Sequence, residues 1–311
     1  MGAFQGPREW GRVLTAMLTP FDAKGEVCYQ EVERLAAYLV DEQKNEGLVI
    51  NGTTGESPTL TYEEKREILR TVLRTVGDRA AVVFGAGTYS TAESVELTRL
   101  GEKEGAHGIM LVNPYYNRPG QAGMFAHFST VARETGLPVM LYNIQPRSAI
   151  NLETPTLLKL AEEVPNIVAV KEASGNVPQI QDVCAGAPDG FRIYSGDDAL
   201  TLPILSVGGY GIVSVAAHVV GVRIRQMVEA FPSNPAKARE LHLGLLPVYR
   251  AIFSSPSPVP VKYATSLAGF KCADVRLPLV PLSEAEKARV LEGLTDGCVE
   301  TARILPIAAT A

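Results

Sequence analysis

A lysine set inside an apolar strand is the residue of this chain best suited to covalent chemistry. The stretch Ile167-Val168-Ala169-Val170-Lys171-Glu172-Ala173-Ser174 opens as a short Val- and Ile-rich run, the pattern of a strand covered on both faces. Alternation puts Ile167, Ala169, Lys171 and Ala173 on one face, with an alanine on either side of the amine. An ammonium group in that setting loses hydration, which favours its neutral form. A neutral amine can condense with a ketone to give a Schiff base. The plainer alternative is a lysine at a strand end paired with a carboxylate such as Glu172, because lysine is seldom buried without a partner.

Other groups could serve the same chemistry. Gly52-Thr53-Thr54-Gly55-Glu56-Ser57 brings two hydroxyls and several backbone N–H groups to one turn, a cradle for a carboxylate. The same residues also read as a plain capping box, Thr53 with Glu56. Pro114-Tyr115-Tyr116-Asn117 carries adjacent tyrosines, which commonly pack rather than react. Tyr142-Asn143 has Arg147 four residues beyond the asparagine. A phenol near an amine can relay protons, and a guanidinium can clamp a carboxylate. Ser195-Gly196-Asp197-Asp198 reads as the start of a helix, and Gly211-Ile212-Val213-Ser214 as a strand.

The elements that must position these groups alternate regularly. Strands are predicted over 13–19, 47–51, 80–85, 108–113, 138–143, 167–173, 191–196 and 211–216. Helices are predicted over 29–44, 61–76, 91–104, 122–135, 154–164 and 198–207. Thr61 with Glu64 and Ser90 with Glu93 have the spacing of capping boxes, and Gly77, Gly105 and Gly136 stand where a left-handed cap is wanted. Such alternation implies right-handed crossovers and a parallel sheet. Eight units match a closed (β/α)₈ TIM barrel, in which reactive groups gather at the carboxyl ends of the strands. A doubly wound open sheet is the alternative, weakened by the lack of a Gly-x-Gly-x-x-Gly after the first strand. The barrel is expected over 1–231. A C-terminal helical region follows over 232–311, with helices at 236–253, 261–268 and 283–303.

Composition narrows the partners. The chain has 29 Lys+Arg against 34 Asp+Glu and a net charge of −5, with no basic stripe to bind nucleic acid. Four cysteines and four histidines are scattered without metal-ligand or disulfide spacing, which suits a reducing cytoplasm. No apolar run reaches the ~18 residues that a membrane span needs. Residues 1–11 show no basic-then-apolar leader pattern.

Taken in chain order, the Gly52–Ser57 segment, Pro114-Tyr115-Tyr116-Asn117, Tyr142-Asn143-Ile144, Val170-Lys171-Glu172-Ala173-Ser174-Gly175-Asn176 and Ser195-Gly196-Asp197-Asp198 resemble the dihydrodipicolinate synthase / N-acetylneuraminate lyase family. Pro258-Val259-Pro260-Val261-Lys262 and Arg276-Leu277-Pro278-Leu279 resemble its C-terminal motifs. The likeness spans nearly the whole chain. It is nearest to members that condense pyruvate with L-aspartate 4-semialdehyde in lysine and diaminopimelate biosynthesis.

That resemblance implies a role for each position. Lys171 would form the Schiff base with pyruvate, and Tyr142, Thr53 and Tyr116 would relay protons, Tyr116 entering from a neighbouring subunit. Thr53 and Thr54 would hold the pyruvate carboxylate, Arg147 that of the semialdehyde, and Gly196 and Val213 would offer backbone groups beside the site. No metal and no dissociable cofactor is implied. A homotetramer built as a dimer of dimers is. Within the same family the rival reading is a pyruvate-dependent lyase or aldolase acting on a keto-sugar acid (N-acetylneuraminate or a 2-keto-3-deoxy acid), whose members commonly place an apolar residue where Arg147 stands. A non-catalytic keto-acid-binding relative is the third reading, and the intact Lys171, Tyr142, Tyr116 and Thr53 count against it.

Two departures from the family pattern bear on specificity and control. Gln145 holds the position where members usually carry proline, Pro146 follows it, and Ala149 replaces a frequent glycine. Proline fixes its own φ and restricts the residue before it, so Arg147 is expected to be presented differently. In lysine-inhibited members the positions of Tyr62 and Tyr89 tend to carry histidine and asparagine, whereas Glu93 is retained. Feedback inhibition by lysine is therefore expected to be weak or absent, and potent inhibition in a steady-state assay would refute this.

Overall fold

The computed structural model describes residues 6–299. Residues 1–5 of the segment weighed above for a leader, and the expected end of the last helix at 300–303, lie outside the described residues. Eight strands are present: β1 (Val13–Ala16), β2 (Gly47–Ile50), β3 (Ala81–Gly85), β4 (Gly108–Val112), β5 (Val139–Asn143), β6 (Ile167–Glu172), β7 (Arg192–Ser195) and β8 (Gly211–Ser214). They run parallel in chain order, and β8 pairs back on β1 through Val13 with Ile212 and Leu14 with Val213. The sheet is thus a closed TIM barrel, and closure rules out the doubly wound alternative.

Each expected strand is found, but all except β3 and β5 stop one to three residues before the expected end. Past several of these ends one more amide still bonds to the neighbouring strand, Asn113 to the Tyr142 carbonyl at 3.0 Å and Ala173 to that of Asn143 at 2.9 Å, before the chain turns away at the rim. Side chains fill the barrel from inside while helices cover it from outside. The strands are accordingly buried almost throughout and read as continuous apolar runs.

Between the strands lie α1 (Tyr29–Asp41), α2 (Tyr62–Val76), α3 (Thr91–Glu104), α4 (Gln121–Ala132), α5 (Gln145–Ser148, a single turn), α6 (Thr154–Glu163), α7 (Val177–Gly186) and α8 (Thr201–Ser206). After β8 come α9 (Ala217–Ala230), α10 (Pro235–Ile252), α11 (Val259–Ser266) and α12 (Glu284–Asp296). α10 lies along α9 and α12, and α11 packs against α9, α10 and α12. Among the described residues no helix is long and apolar enough to cross a membrane.

Helix starts follow local chemistry more closely than helix ends do. At α2, Thr61 accepts from the Glu64 amide and Glu64 reaches back to the Thr61 amide, the reciprocal box expected. At α3, Ser90 accepts from the Glu93 amide, but Glu93 does not complete the box. Gly105 takes the left-handed cap at φ 90°. Gly77 instead continues in right-handed geometry at φ −62°, and α4 ends ahead of Gly136 at an Arg133 cap. Both corrections have one cause: a helix can stop by handing its last amides to preceding carbonyls, without a left-handed residue. Replacing Thr61 by Ala removes the α2 cap, and should lower stability by about 1 kcal/mol. A denaturation midpoint equal to that of the parent chain would refute the cap's contribution.

Candidate active site

One register row runs across three strands. The ladder sets Tyr142 of β5 beside Lys171 of β6, and Lys171 beside Tyr194 of β7. Pairing with β5 jumps from Ile167 to Ala169 at a bulge, so the register is continuous only from Ala169 onward. The Lys171 Nζ stands 4.2 Å from the centre of the Tyr142 ring, and each of these two side chains is only 4% exposed. Burial lowers the Lys171 ammonium to a pKa of about 7; the Asp198 charge opposes this, and the Arg147 charge reinforces it.

The expected alternative partner, Glu172, faces away. Its carboxylate accepts from Asn143 Nδ2 at 3.1 and 3.2 Å and from the Ser174 amide at 3.0 Å. Alternation has sent neighbouring residues to opposite faces of the strand.

Tyr142 is linked to the turn after β2. Burial pushes its phenol up to about 12, while the Arg147 charge and a hydrogen bond with the Thr53 side chain pull the other way. The turn is tight: the Gly55 amide donates to the Gly52 carbonyl and the Glu56 amide to the Thr53 carbonyl, each at 3.0 Å. Thr54 is buried, and Thr53 half-buried. A cavity at the mouth of the barrel is lined by Thr53, Ser57, Gly87, Met110, Tyr115 and Tyr142.

The capping box considered for Thr53 and Glu56 does not form. Glu56 adopts φ 55°, and its carboxylate instead binds the buried Lys262 ammonium and the Arg276 amide.

Gly196 packs on the stem of Lys171. A Cβ at this glycine would meet Ala173 Cβ at 2.8 Å and Lys171 Cγ at 3.0 Å, so only a residue without a side chain lets β7 approach the lysine. Val213 is fully buried in β8, beside Leu14 of β1.

Asp197 caps the turn that follows β7, accepting from the Ala199 amide at 2.9 Å. Asp198 does something the helix-start reading did not anticipate. It is buried, accepts from the Ser214 hydroxyl and from the Val215 amide at 3.1 Å, and faces Lys171 electrostatically. Its own pKa is pushed up to about 6 by burial, with the Ser214 hydrogen bond opposing.

Arg147 lies on the single turn α5, exposed, and donates to the Ser257 carbonyl at 3.4 Å. Ala149 closes that turn at φ 60°, a left-handed conformation that explains why glycine suits the position. Tyr116 stands apart from the row: it is 92% exposed at φ 68°. Tyr62, Tyr89 and Glu93 are also exposed, with Tyr89 edge-on to Tyr115 at 5.4 Å. Beside them Lys65 is buried in α2, its ammonium pKa lowered by desolvation and raised by Glu93. Sequence reasoning missed Lys65 and the Glu56–Lys262 pair. For Lys65 and Lys262 the signal was a charge inside a helix pattern; Glu56, in a turn, gave none.

Comparisons with known proteins give the chain's family. The model of the dihydrodipicolinate synthetase family matches residues 9–296. The 4-hydroxy-tetrahydrodipicolinate synthase of Moorella thermoacetica is 51% identical over 93% of this chain and 98% of its own. That of Bacillus subtilis is 47% identical over 89% of this chain and 96% of its own. A crystal structure of dihydrodipicolinate synthase from Bacillus anthracis superposes with a TM-score of 0.89 at 43% identity, covering 92% of this chain and 98% of that one. With the family model matching residues 9–296 and relatives of about half identity spanning nearly the whole chain, the chain belongs to the dihydrodipicolinate synthetase family.

Proposed function

We propose that the protein condenses pyruvate with L-aspartate 4-semialdehyde to 4-hydroxy-tetrahydrodipicolinate, a step of lysine and diaminopimelate biosynthesis, through a Schiff base on Lys171. One observation carries this reading: a buried amine with a pKa of about 7 lies against the Tyr142 ring at the carboxyl end of β6. Relatives of 47% and 51% identity that bear the synthase name support the choice of substrates.

The neutral Lys171 amine attacks the ketone carbon of pyruvate, forming a carbinolamine. Tyr142 supplies the proton with which the hydroxyl departs as water, and Thr53 hands protons to and from that phenol. The resulting iminium draws electrons from the pyruvate methyl, which loses a proton to the same relay and becomes an enamine. The enamine carbon bonds to the aldehyde carbon, whose oxygen takes up a proton. The substrate's own amine then adds to the iminium carbon, the bond to Lys171 breaks, and the ring leaves with the amine regenerated. The iminium is the electron sink, so the sequence of steps calls for no metal and no dissociable cofactor.

Thr53 and Thr54 hold the pyruvate carboxylate in this scheme, with backbone groups of Gly196 and Val213 beside it, and Arg147 at the rim holds the carboxylate of the semialdehyde. Tyr116 completes the relay of a neighbouring subunit. Its outward pose, 92% exposed, fits that role, which requires at least a dimer; the homotetramer, a dimer of dimers, is the assembly that the family resemblance implies.

Two measurements bear directly on Lys171. Borohydride added with pyruvate should attach one reduced pyruvyl group to Lys171, seen by peptide mass. Lys171→Ala should abolish turnover with the circular dichroism spectrum unchanged. An unlabelled Lys171, or wild-type turnover in the variant, would refute the mechanism. The pH profile is a third test. The free amine is the reactive form, so kcat/KM for pyruvate should fall roughly tenfold per pH unit below about 7 and level off above it. An ascending limb near the ordinary lysine value of 10.5 would show that the amine is not desolvated in solution.

A further inference from the structure

The C-terminal helices reach into the turn that carries Thr53. Lys262 of α11 is fully buried, and its ammonium donates to Glu56 and to the Asp274 carbonyl at 2.6 Å. The other carboxylate oxygen of Glu56 accepts from the Arg276 amide at 3.0 Å. The Arg276 guanidinium donates to the carbonyls of Thr59 and Gly25, both at 2.7 Å, and to Glu64. Both cations stack on one ring: Lys262 Nζ lies 4.2 Å, and Arg276 Cζ 4.4 Å, from the centre of Phe21. This cluster grips the Gly52–Ser57 turn and the short turn after it from one side.

The grip acts on Thr53 through a short path. Glu56 is held at φ 55°, a left-handed conformation that a residue with a Cβ avoids unless its surroundings impose it. In that conformation its amide donates to the Thr53 carbonyl at 3.0 Å. A buried ion pair is a poor device for stability alone, since apolar residues of like volume commonly serve as well. Its directional bonds do fix a backbone. We propose, building on the Schiff-base reading above, that Glu56, Lys262 and Arg276 are positioning residues: through them the C-terminal helices hold the Thr53 hydroxyl at Tyr142 for proton transfer.

The test is the double variant Glu56→Gln/Lys262→Met, which removes both buried charges and keeps their volumes. It should fold by circular dichroism, yet lose on the order of 100-fold in kcat/KM for pyruvate, the loss that small misplacement brings. Both KM and kcat should worsen, and borohydride trapping should slow in parallel. A merely structural role would lower the thermal midpoint and leave the kinetics per folded molecule unchanged, and that result would overturn the proposal. If the double variant does not fold, Arg276→Gln decides instead, since its side chain is 17% exposed where that of Lys262 is fully buried. A loss of about tenfold with the same KM and kcat pattern supports the clamp, and wild-type kinetics overturn it. Wild-type trapping is run alongside: an unlabelled Lys171 removes the Schiff-base reading itself, whereas a labelled wild type with unaffected variants removes the clamp alone.

Discussion

Withholding water from one ammonium group is the constraint around which this molecule is arranged. A charged amine inside protein is costly unless it is paired or neutral. Lys171 is held toward neutrality: the one adjacent carboxylate in sequence, Glu172, is occupied by Asn143 and Ser174 on the opposite face. Among the described residues, the attraction that opposes burial comes from Asp198, whose own charge is weakened by its burial. The aromatic face of Tyr142 covers the amine at 4.2 Å without giving it a counter-ion. Strand alternation makes this possible, and closure of the barrel makes it durable, because a closed ring leaves no side of the strand open to solvent.

The rim is held from two directions. β2, β5, β6 and β7 bring Thr53, Tyr142, Lys171 and Gly196 to one end of the barrel, and α11 with the segment after it returns to the same end. Removing one member of a buried ion pair costs about 3–5 kcal/mol, whereas replacing both can be neutral. Lys262 and Glu56 therefore act as a unit, and no single substitution reports their contribution.

How much was legible in the sequence depended on how far apart the interacting residues lie. Lys171, the alanines beside it and the eightfold alternation are local patterns, and each emerged where periodicity put it. The capping box at Thr61 and Glu64 needed only three residues of context. Glu56 shows the limit. Its spacing from Thr53 matches a cap, but its partner is Lys262, 206 positions away, and no local rule can weigh a contact that only the closed fold creates. Asp198 was hidden for the same reason: a carboxylate after a strand reads as a helix cap until β8 brings Ser214 and Val215 against it. Gly77 and Gly136 failed differently, because a glycine after a helix permits a left-handed cap without demanding one. Ala149 is the converse. Its left-handed backbone persists although the residue there offers no conformational freedom, because the turn around Arg147 imposes it.

Barrel closure also limits how copies of this chain can meet. Among the described residues every strand has a bonded neighbour on both sides, so the barrel leaves no row of free N–H and C=O groups for a strand of another molecule to extend. Assembly by sheet growth, the route by which open sheets join or run on into fibres, is closed to this architecture. Whatever surfaces bring subunits together must do so with side chains borne on helices and loops, where recognition depends on shape and chemistry rather than on the generic backbone.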